Sequence, residues 1–216
     1  MEPAQPGPGE ELNLGAATTP RLAASVIVLR GAERGLEVLL VQRNPAARFM
    51  GGAWVFPGGS VDPADGEGEP ALRAAALREA QEEAGIHIED PARLVPYSRW
   101  ITPAEVRTRF DTWFFVAHAP DDAVPAVDGA ECVDWRWHTP ADALAAHRAG
   151  ELLLVFPTIK HLEQLGTFAS ASELIAHARG QVVRPVQPRV VVEGEVARVL
   201  LPGDAGYDDA GAPAGA

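Results

Sequence analysis

The 216-residue sequence has one cysteine, Cys132, and no uninterrupted apolar run of about 18 residues, the length that crosses a bilayer. A single cysteine excludes an internal disulfide framework, and we expect it to be a buried, unreactive thiol. The opening segment, MEPAQPGPGEELNLG, lacks the basic and apolar regions of a signal peptide. These absences predict a cytoplasmic protein with no membrane segment.

Basic residues are scarce relative to acidic ones. Lys and Arg total 18 against 30 Asp and Glu, so the formal net charge is −12. This imbalance excludes broad electrostatic binding to nucleic acid polymers or to anionic membranes. An anionic small-molecule substrate would therefore need a bound cation or a local arginine cluster to receive it.

Composition divides the chain into a folded region between two ends that we predict to be flexible. Residues 1–18 are rich in Pro, Gly and Glu, and residues 203–216 are rich in Gly, Ala and Asp. The hydrophobic fraction of 47% suits one compact domain with modest extensions. We place that domain at residues 19–165, followed by a C-terminal extension, residues 166–202, that packs on it.

Hydrophobic patterning predicts an α+β fold in which helices pack on the faces of a mixed sheet. A hairpin of two β-rich runs comes first, followed by a short strand that begins at Trp54 and is stopped by Pro57 and two glycines. The strongest helix prediction runs from Pro70, which suits a first turn, to Ala84, with Gly85 at the C-cap. The predicted strands are 23–29, 36–42, 54–56, 94–100, 109–117, 131–137 and 189–201, and the predicted helices are 70–84, 139–150, 157–164 and 171–178.

The strongest predicted helix carries three carboxylates on one side. Glu79, Glu82 and Glu83 fall within a 100° arc, beside a stripe of small apolar residues that can lie close to a sheet. Carboxylates about 5.5 Å apart repel by roughly 3 kcal/mol per pair at an effective dielectric of about 20, and Arg78 alone cannot neutralise three of them. A hard divalent cation such as Mg²⁺ can neutralise them. The alternative interpretation is that the three glutamates form a solvated acidic face of the helix.

The order of these residues resembles the Nudix box, a motif of the form G-x5-E-x7-R-E-U-x-E-E-x-G-U in which U is aliphatic. The preceding segment FPGG strengthens the resemblance. Relative to the usual box, five residues are inserted between Gly59 and Arg78, and Asp65 stands in place of the first glutamate. The matching residues are Gly59, Arg78, Glu79, Ala80, Glu82, Glu83, Gly85 and Ile86.

Three segments resemble the coenzyme A and acyl-CoA diphosphatase branch of this family. One is the extended box with its aspartate, and a second surrounds LLVQRN. The third, SRWITP at residues 98–103 with RFDTWFF at residues 109–115, is similar to peroxisomal acyl-CoA diphosphatases and their bacterial relatives. The upstream signature matches at Arg43, Arg48, Gly52, Asp62 and Asp65 and departs from the branch at Val41, Asn44, Ala47 and Ala53.

The resemblance implies a Nudix-like α/β/α sandwich and hydrolysis by metal-activated water, with Mg²⁺ or Mn²⁺ as the cofactor. Arg78 would then orient the helical glutamates. Glu131 resembles the additional glutamate that serves many family members as a metal ligand or general base, although it could equally be a solvated turn residue. The implied metal ligands are Glu79, Glu82, Glu83 and the Gly59 carbonyl.

Five arginines could hold substrate phosphates, because guanidinium groups form bidentate bonds with phosphate oxygens. Trp100 could stack on a base, although tryptophans in strand-like segments are more often core residues. The six histidines show no ligand-like spacing, so we interpret them as structural. The arginines are Arg43, Arg48, Arg99, Arg107 and Arg109.

We therefore expect hydrolysis of the diphosphate linkage in a nucleoside diphosphate derivative, with coenzyme A or acyl-CoA as the leading substrate. ADP-ribose, nucleoside triphosphates and dinucleoside polyphosphates remain alternatives. An isopentenyl diphosphate isomerase would need a cysteine near FPGG, and Cys132 is distant from it in the sequence. A non-catalytic nucleotide sensor usually loses a helical glutamate, and this chain keeps all three. The sequence also leaves a homodimer open.

Overall fold

The computed structural model describes Asn13 and residues 18–31, 35–193 and 196–210. The remainder of the two predicted flexible ends, residues 1–12 with 14–17 and residues 211–216, lies outside the described residues. In the part of the chain that is described, no helix is long and apolar enough to cross a membrane.

The described residues form strands and helices close to the predicted positions. The strands are β1 (Arg21–Arg30), β2 (Glu37–Arg43), β3 (Trp54–Val55), β4 (Gly58–Ser60), β5 (Val95–Ile101), β6 (Phe110–His118), β7 (Cys132–His138), β8 (Pro185–Val186), β9 (Arg189–Glu193) and β10 (Val196–Leu200). The helices are α1 (Gly68–Ala84), α2 (Pro140–Arg148), α3 (Phe156–Leu165) and α4 (Ala171–Gly180). The short strand predicted before Pro57 is β3, whereas β4 and β8 were not predicted.

The main sheet is mixed, as predicted. Its strand order is β3-β2-β1-β6-β5-β8, with β4 also paired to β1 and β7 to β2. β1 runs parallel to β6 along its length, whereas β5 and β6 are antiparallel. The β1–β2 hairpin is shorter than predicted. Its pairs involve Leu29 and Arg30, near the turn, because β4 takes the same edge of β1 at residues 23–25.

Both faces of β1 are buried, which explains its continuous apolar run. On one face, Val26 and Val28 pack in a cluster with the small residues of α1. On the other face, Ile27 and Leu29 pack in a cluster with residues of α2, α3 and α4. Helices therefore cover the sheet on both sides, which confirms the predicted α/β/α sandwich. The small buried residues that let α1 approach the sheet are Ala75, Ala76, Ala80 and Ala84.

The described chain after α3 adds a helix and three short strands, of which β8 pairs with β5 in the main sheet. Leu174 and Ile175 of α4 belong to the same core cluster as β1. β9 and β10 form a separate antiparallel sheet, as the predicted β-tail allowed. Residues 203–210, predicted to belong to a flexible tail, form turns that Arg189 holds by hydrogen bonds to their carbonyl groups. A long-range polar anchor of this kind leaves no compositional signal.

His161 on α3 is completely buried in an aromatic cluster beside the sheet. Its ring centroid lies 4.3 Å from that of Phe114 and 5.5 Å from that of Trp100. Its Nε2 atom is 2.6 Å from the hydroxyl oxygen of Ser98. Burial lowers the pKa of His161 to about 4, so the ring stays neutral in the folded protein near pH 7. This environment agrees with a structural role.

We expect the free energy of unfolding to fall by about 3 kcal/mol more in the wild type than in His161→Gln between pH 7 and pH 4. Below pH 6.5 the unfolded chain binds a proton at His161 that the folded chain does not bind until about pH 4. The contribution is therefore complete above pH 6.5 and is lost as the pH falls. Urea unfolding of both proteins at the two pH values measures it, and equal losses would contradict the prediction.

Candidate active site

A cavity of about 470 Å³ brings together many of the residues that the sequence singles out. Its charged lining comes from the end of β2, the loop after β4, α1 and the residue that precedes β7. The charged residues and glycines in the lining are Arg43, Gly58, Gly59, Asp62, Glu79, Glu83 and Glu131.

Glu79 and Glu83 lie one turn apart on the side of α1 that meets β4. Glu83 Oε2 accepts a hydrogen bond from the Gly58 amide at 2.9 Å. The Glu79 carboxylate lies directly against Gly59, where an added Cβ atom would stand 2.3 Å from Glu79 Oε1. Glycine at this position is therefore what allows the carboxylate to approach the backbone.

Glu131 also lines the cavity, although it is about 50 positions from the helical glutamates in the chain and lies immediately before β7. Its backbone amide donates to Asp128 Oδ2 at 2.9 Å, and the amide of Cys132 donates to Asp128 Oδ1 at 2.9 Å. Asp128 thus holds the turn that presents Glu131. Asp128 was not among the predicted site residues, although an aspartate four positions before the first residue of a strand is a common turn signal.

The carboxylates of Glu79 and Glu83 are not fully neutralised by the positive charges and hydrogen-bond donors around them. Burial raises the pKa of Glu83 to about 7, although the Gly58 amide acts against this rise. The charges of Glu79 and Glu131 raise this pKa further, and Arg43, whose Nη1 lies 3.6 Å from Glu83 Oε1, lowers it. Burial is also the largest cause that raises the pKa of Glu79. A cation at this position would stabilise both charged forms.

The residues present fit a hard divalent cation. The cavity lining offers carboxylate and carbonyl oxygens and contains no cysteine or histidine among the described residues, which suits Mg²⁺ or Mn²⁺. Across the described ranges, no three Asp, Glu, His or Cys side chains are already grouped at ligand spacing. The fit therefore depends on the oxygen donors, on the unbalanced charge and on the close approach of Glu79 to Gly59.

Arg78 binds several groups around the carboxylate helix. Its Nη1 donates to Glu79 Oε1 at 2.8 Å and to Glu82 Oε2 at 3.0 Å, and its Nη2 donates to the Ser60 carbonyl at 3.1 Å. These hydrogen bonds join the two carboxylates to the backbone at the end of β4. Glu82, predicted as a metal ligand, is not among the residues that line the cavity, because its side chain lies at the 60% exposed edge of α1 beside Arg78.

The loop inserted before α1 is fastened to Arg78 by Asp65. Asp65 Oδ2 lies 3.0 Å from Arg78 Nη2 and also accepts a hydrogen bond from the Asp62 amide at 2.8 Å. The hydrogen bond from Arg78 lowers the pKa of Asp65. Asp65 thus serves the loop and the arginine, whereas Asp62 lines the cavity.

The five candidate phosphate-binding arginines are distributed over different parts of the molecule. Arg43 lines the cavity, and its Nε is buried without a hydrogen-bond partner among the described residues. Arg48 is exposed, and neither it nor Arg107 belongs to the cavity lining. Of these five arginines, Arg43 is therefore the one that lines the cavity beside the Glu79 and Glu83 carboxylates.

Arg99 and Arg109, which were predicted to bind substrate, form hydrogen bonds within the protein and do not belong to the cavity lining. Arg99 forms two hydrogen bonds with Asp111, at 2.8 and 2.6 Å, on the face of β5 opposite Trp100. Arg109 is buried and donates to the backbone carbonyls of Thr102 and Thr18. Charge alone did not distinguish these structural guanidinium groups from a substrate-binding one.

Trp100 and a set of apolar residues form the rest of the cavity wall. Trp100 is only 6% exposed, and it both lines the cavity and packs against Phe156 with ring centroids 6.3 Å apart. The remaining apolar residues were not among the predicted site residues, because they come from segments that are distant in the chain. They include Phe49, Val106, Phe110, Pro188, Val190 and Val199.

The chain is similar in sequence and in fold to several known proteins. A sequence model of the NUDIX domain matches residues 19–155. The chain is 27% identical to putative nudix hydrolase 7 of Caenorhabditis elegans over 227 residues, which cover 88% of this chain and 75% of the relative. It is 24% identical to acyl-coenzyme A diphosphatase NUDT19 of Homo sapiens over 300 residues, covering 87% and 80%. The NUDIX hydrolase from Alicyclobacillus acidocaldarius superposes with a TM-score of 0.65 at 29% identity, over 74% of this chain and 96% of that one.

Proposed function

The chain belongs to the Nudix hydrolase family, whose enzymes act on diphosphate bonds, and from this premise we propose that it cleaves the diphosphate linkage of a coenzyme A-type nucleotide with the help of Mg²⁺. The observation that carries the proposal is the convergence of Glu79, Glu83 and Glu131 with the Gly59 backbone and Arg43 in one cavity. Mn²⁺ would suit the same oxygen donors.

The Gly59 carbonyl and the carboxylates of Glu79 and Glu83 are the proposed cation ligands, with Glu82 joining them from the edge of the helix. When bound, a divalent cation neutralises charge on the diphosphate and lowers the pKa of a nearby water molecule. Arg78 holds the Glu79 carboxylate in place through its 2.8 Å hydrogen bond. Glu131 accepts the proton of the attacking water, because its carboxylate shares the cavity with the other two.

Arg43 is the proposed ligand of the substrate phosphates. Its guanidinium group lies beside Glu83, and its Nε has no hydrogen-bond partner within the part of the chain that the structure describes. A diphosphate oxygen would satisfy that donor, since guanidinium groups bind phosphate through charge-assisted hydrogen bonds. Arg43 would thus orient the diphosphate next to the carboxylates.

Coenzyme A is the proposed substrate because two kinds of observation favour it. One relative is named an acyl-coenzyme A diphosphatase. The segments SRWITP and RFDTWFF, which resemble that branch, lie side by side as β5 and β6 and contribute Trp100, Thr102 and Phe110 to the cavity. Hydrolysis of coenzyme A would consume one water and release 3′,5′-ADP and 4′-phosphopantetheine.

We expect kcat/KM with Mg²⁺ to be higher for coenzyme A than for ADP-ribose. Side-by-side steady-state kinetics, with products identified by mass, measure the preference. A tenfold preference for ADP-ribose, about 1.4 kcal/mol in transition-state binding, would contradict the substrate assignment and leave the diphosphatase assignment in place. If neither compound nor a nucleoside triphosphate is hydrolysed, the proposed activity itself is wrong.

A further inference from the structure

The C-terminal hairpin supplies an apolar wall to the cavity. β9 and β10 pair in register with Val190 opposite Val199, so these two side chains share one face of the hairpin. Pro188, two residues before Val190, lies on the same side and is buried. All three line the cavity that contains the carboxylates. We call Pro188, Val190 and Val199 the hairpin wall.

Arg189, between Pro188 and Val190, does not line the cavity and is bonded to the chain that follows β10. Its Nη1 donates to the Ala210 carbonyl at 2.6 Å and also to the carbonyl of Tyr207. The Arg189 guanidinium lies 4.3 Å from the centre of the Tyr207 ring, and the Tyr207 hydroxyl donates to the Gln187 carbonyl at 2.7 Å. The turns at residues 203–210 are therefore bonded to the start of β9, although the hairpin forms a sheet separate from the main one.

The chemistry of the hairpin wall matches an aliphatic group better than a base or a sugar. Its three side chains carry no hydrogen-bond donor or acceptor, and Phe49 and Phe110, which line the same cavity with ring centroids 5.7 Å apart, are also apolar. Recognition of a base or ribose requires polar groups at fixed positions, whereas a saturated chain is bound by burial of apolar surface alone. The wall shares its cavity with the proposed cation ligands, so one substrate could reach both.

We propose that the hairpin wall binds an aliphatic acyl chain attached to the substrate and thereby sets a preference for acylated over free coenzyme A. This inference rests on the proposed function, because the diphosphate of the same molecule is placed at the carboxylates. It assigns a specificity role to a segment that lies outside residues 19–155, the part matched by the family.

The test replaces the wall with side chains of the same shape and different polarity. In the double variant Val190→Thr with Val199→Thr, the ratio of kcat/KM for octanoyl-CoA to kcat/KM for coenzyme A falls at least about tenfold. Threonine is close to valine in shape, but it adds a hydroxyl group that a bound alkyl chain would desolvate. Val191→Thr is the matched control, since Val191 lies on the opposite face of β9 and does not line the cavity. It leaves the ratio unchanged.

A second variant tests size in place of polarity. Val190→Leu adds one methylene group to the wall, and the preferred acyl chain becomes shorter by one or more carbons in a series from acetyl-CoA to dodecanoyl-CoA. The inference would be overturned if the double threonine variant kept the wild-type ratio of kcat/KM, including the case in which kcat/KM falls equally for octanoyl-CoA and for free coenzyme A. So would an unchanged chain-length profile in Val190→Leu.

Calorimetric binding in EDTA separates this inference from the proposed function. Octanoyl-CoA is expected to bind the wild type more tightly than free coenzyme A, and the double threonine variant loses at least about fivefold in that advantage. This readout needs no turnover, so it stands even if hydrolysis is not found. Hydrolysis of coenzyme A without any effect of the acyl chain on affinity would retain the function and reject the role of the wall.

Discussion

Glu83→Gln is expected to lower kcat by at least about 100-fold while the protein stays folded. The glutamine oxygen can still accept the 2.9 Å hydrogen bond from the Gly58 amide, so the local geometry is kept. The negative charge that we assign to cation binding is removed from a side chain that is only 3% exposed. Steady-state kinetics with Mg²⁺, on whichever diphosphate compound the wild type hydrolyses fastest, measure the effect.

Stability and a neighbouring glutamate provide the controls for this variant. The unfolding temperature of Glu83→Gln in EDTA should equal or exceed that of the wild type, because a neutral amide costs less to bury than a carboxylate. Glu82→Gln should lose less activity, since the Glu82 side chain is 60% exposed and lies beside Arg78. Retention of more than about a tenth of wild-type kcat by Glu83→Gln would reject its assignment as a cation ligand.

Gly59→Ala is expected to reduce activity by about 100-fold, because a displacement of a catalytic group by about 1 Å can have that effect. The added Cβ would stand 2.3 Å from Glu79 Oε1 and 2.6 Å from its carboxyl carbon, so the carboxylate must move. The displaced atoms are the end of a flexible side chain, and Gly59 does not have a positive φ. The fold should therefore tolerate the methyl group. Kinetics and thermal unfolding, measured together, test both statements.

Two other glycines make the comparison specific. Gly180→Ala adds a methyl group where no atom lies within 4 Å, so activity and stability should both be retained. Gly58→Ala would bring a Cβ to 2.6 Å from the Ala24 carbonyl oxygen and from Ser25 Cα, which are backbone atoms, so this variant should lose stability. If Gly59→Ala is fully active, Glu79 does not need its position against the backbone. If Gly59→Ala unfolds, the backbone and not Glu79 sets the requirement for glycine.

The positions of the strands and helices could be predicted because their signals are local. β1 and β2 are continuous apolar runs, and α1 is composed of strong helix formers that end at Gly85, which has φ 64°. The alternation of small and acidic residues along α1 also predicted which side would meet the sheet. The helical pitch determines the spacing of Glu79 and Glu83, and no knowledge of the rest of the fold is needed for it.

The membership of the candidate site depended on contacts between distant parts of the chain. Glu82 satisfies the motif as well as Glu83 does, and only the packing of α1 against β4 distinguishes the exposed carboxylate from the buried one. Arg99 and Arg43 carry the same charge, but in the structure Arg99 is bound by Asp111, whereas Arg43 lines the cavity.

The sequence by itself therefore determined the fold class, the helix that carries the glutamates and the glycine that faces it, because periodicity and turn chemistry act over a few residues. The tertiary structure alone decided that Glu131 lies in one cavity with Glu79 and Glu83 and that Val190 and Val199 line the same cavity. These groups are about 50 to more than 100 positions apart in the chain. Their approach follows from burial of the two sheet faces and from strand pairing, which no local pattern encodes.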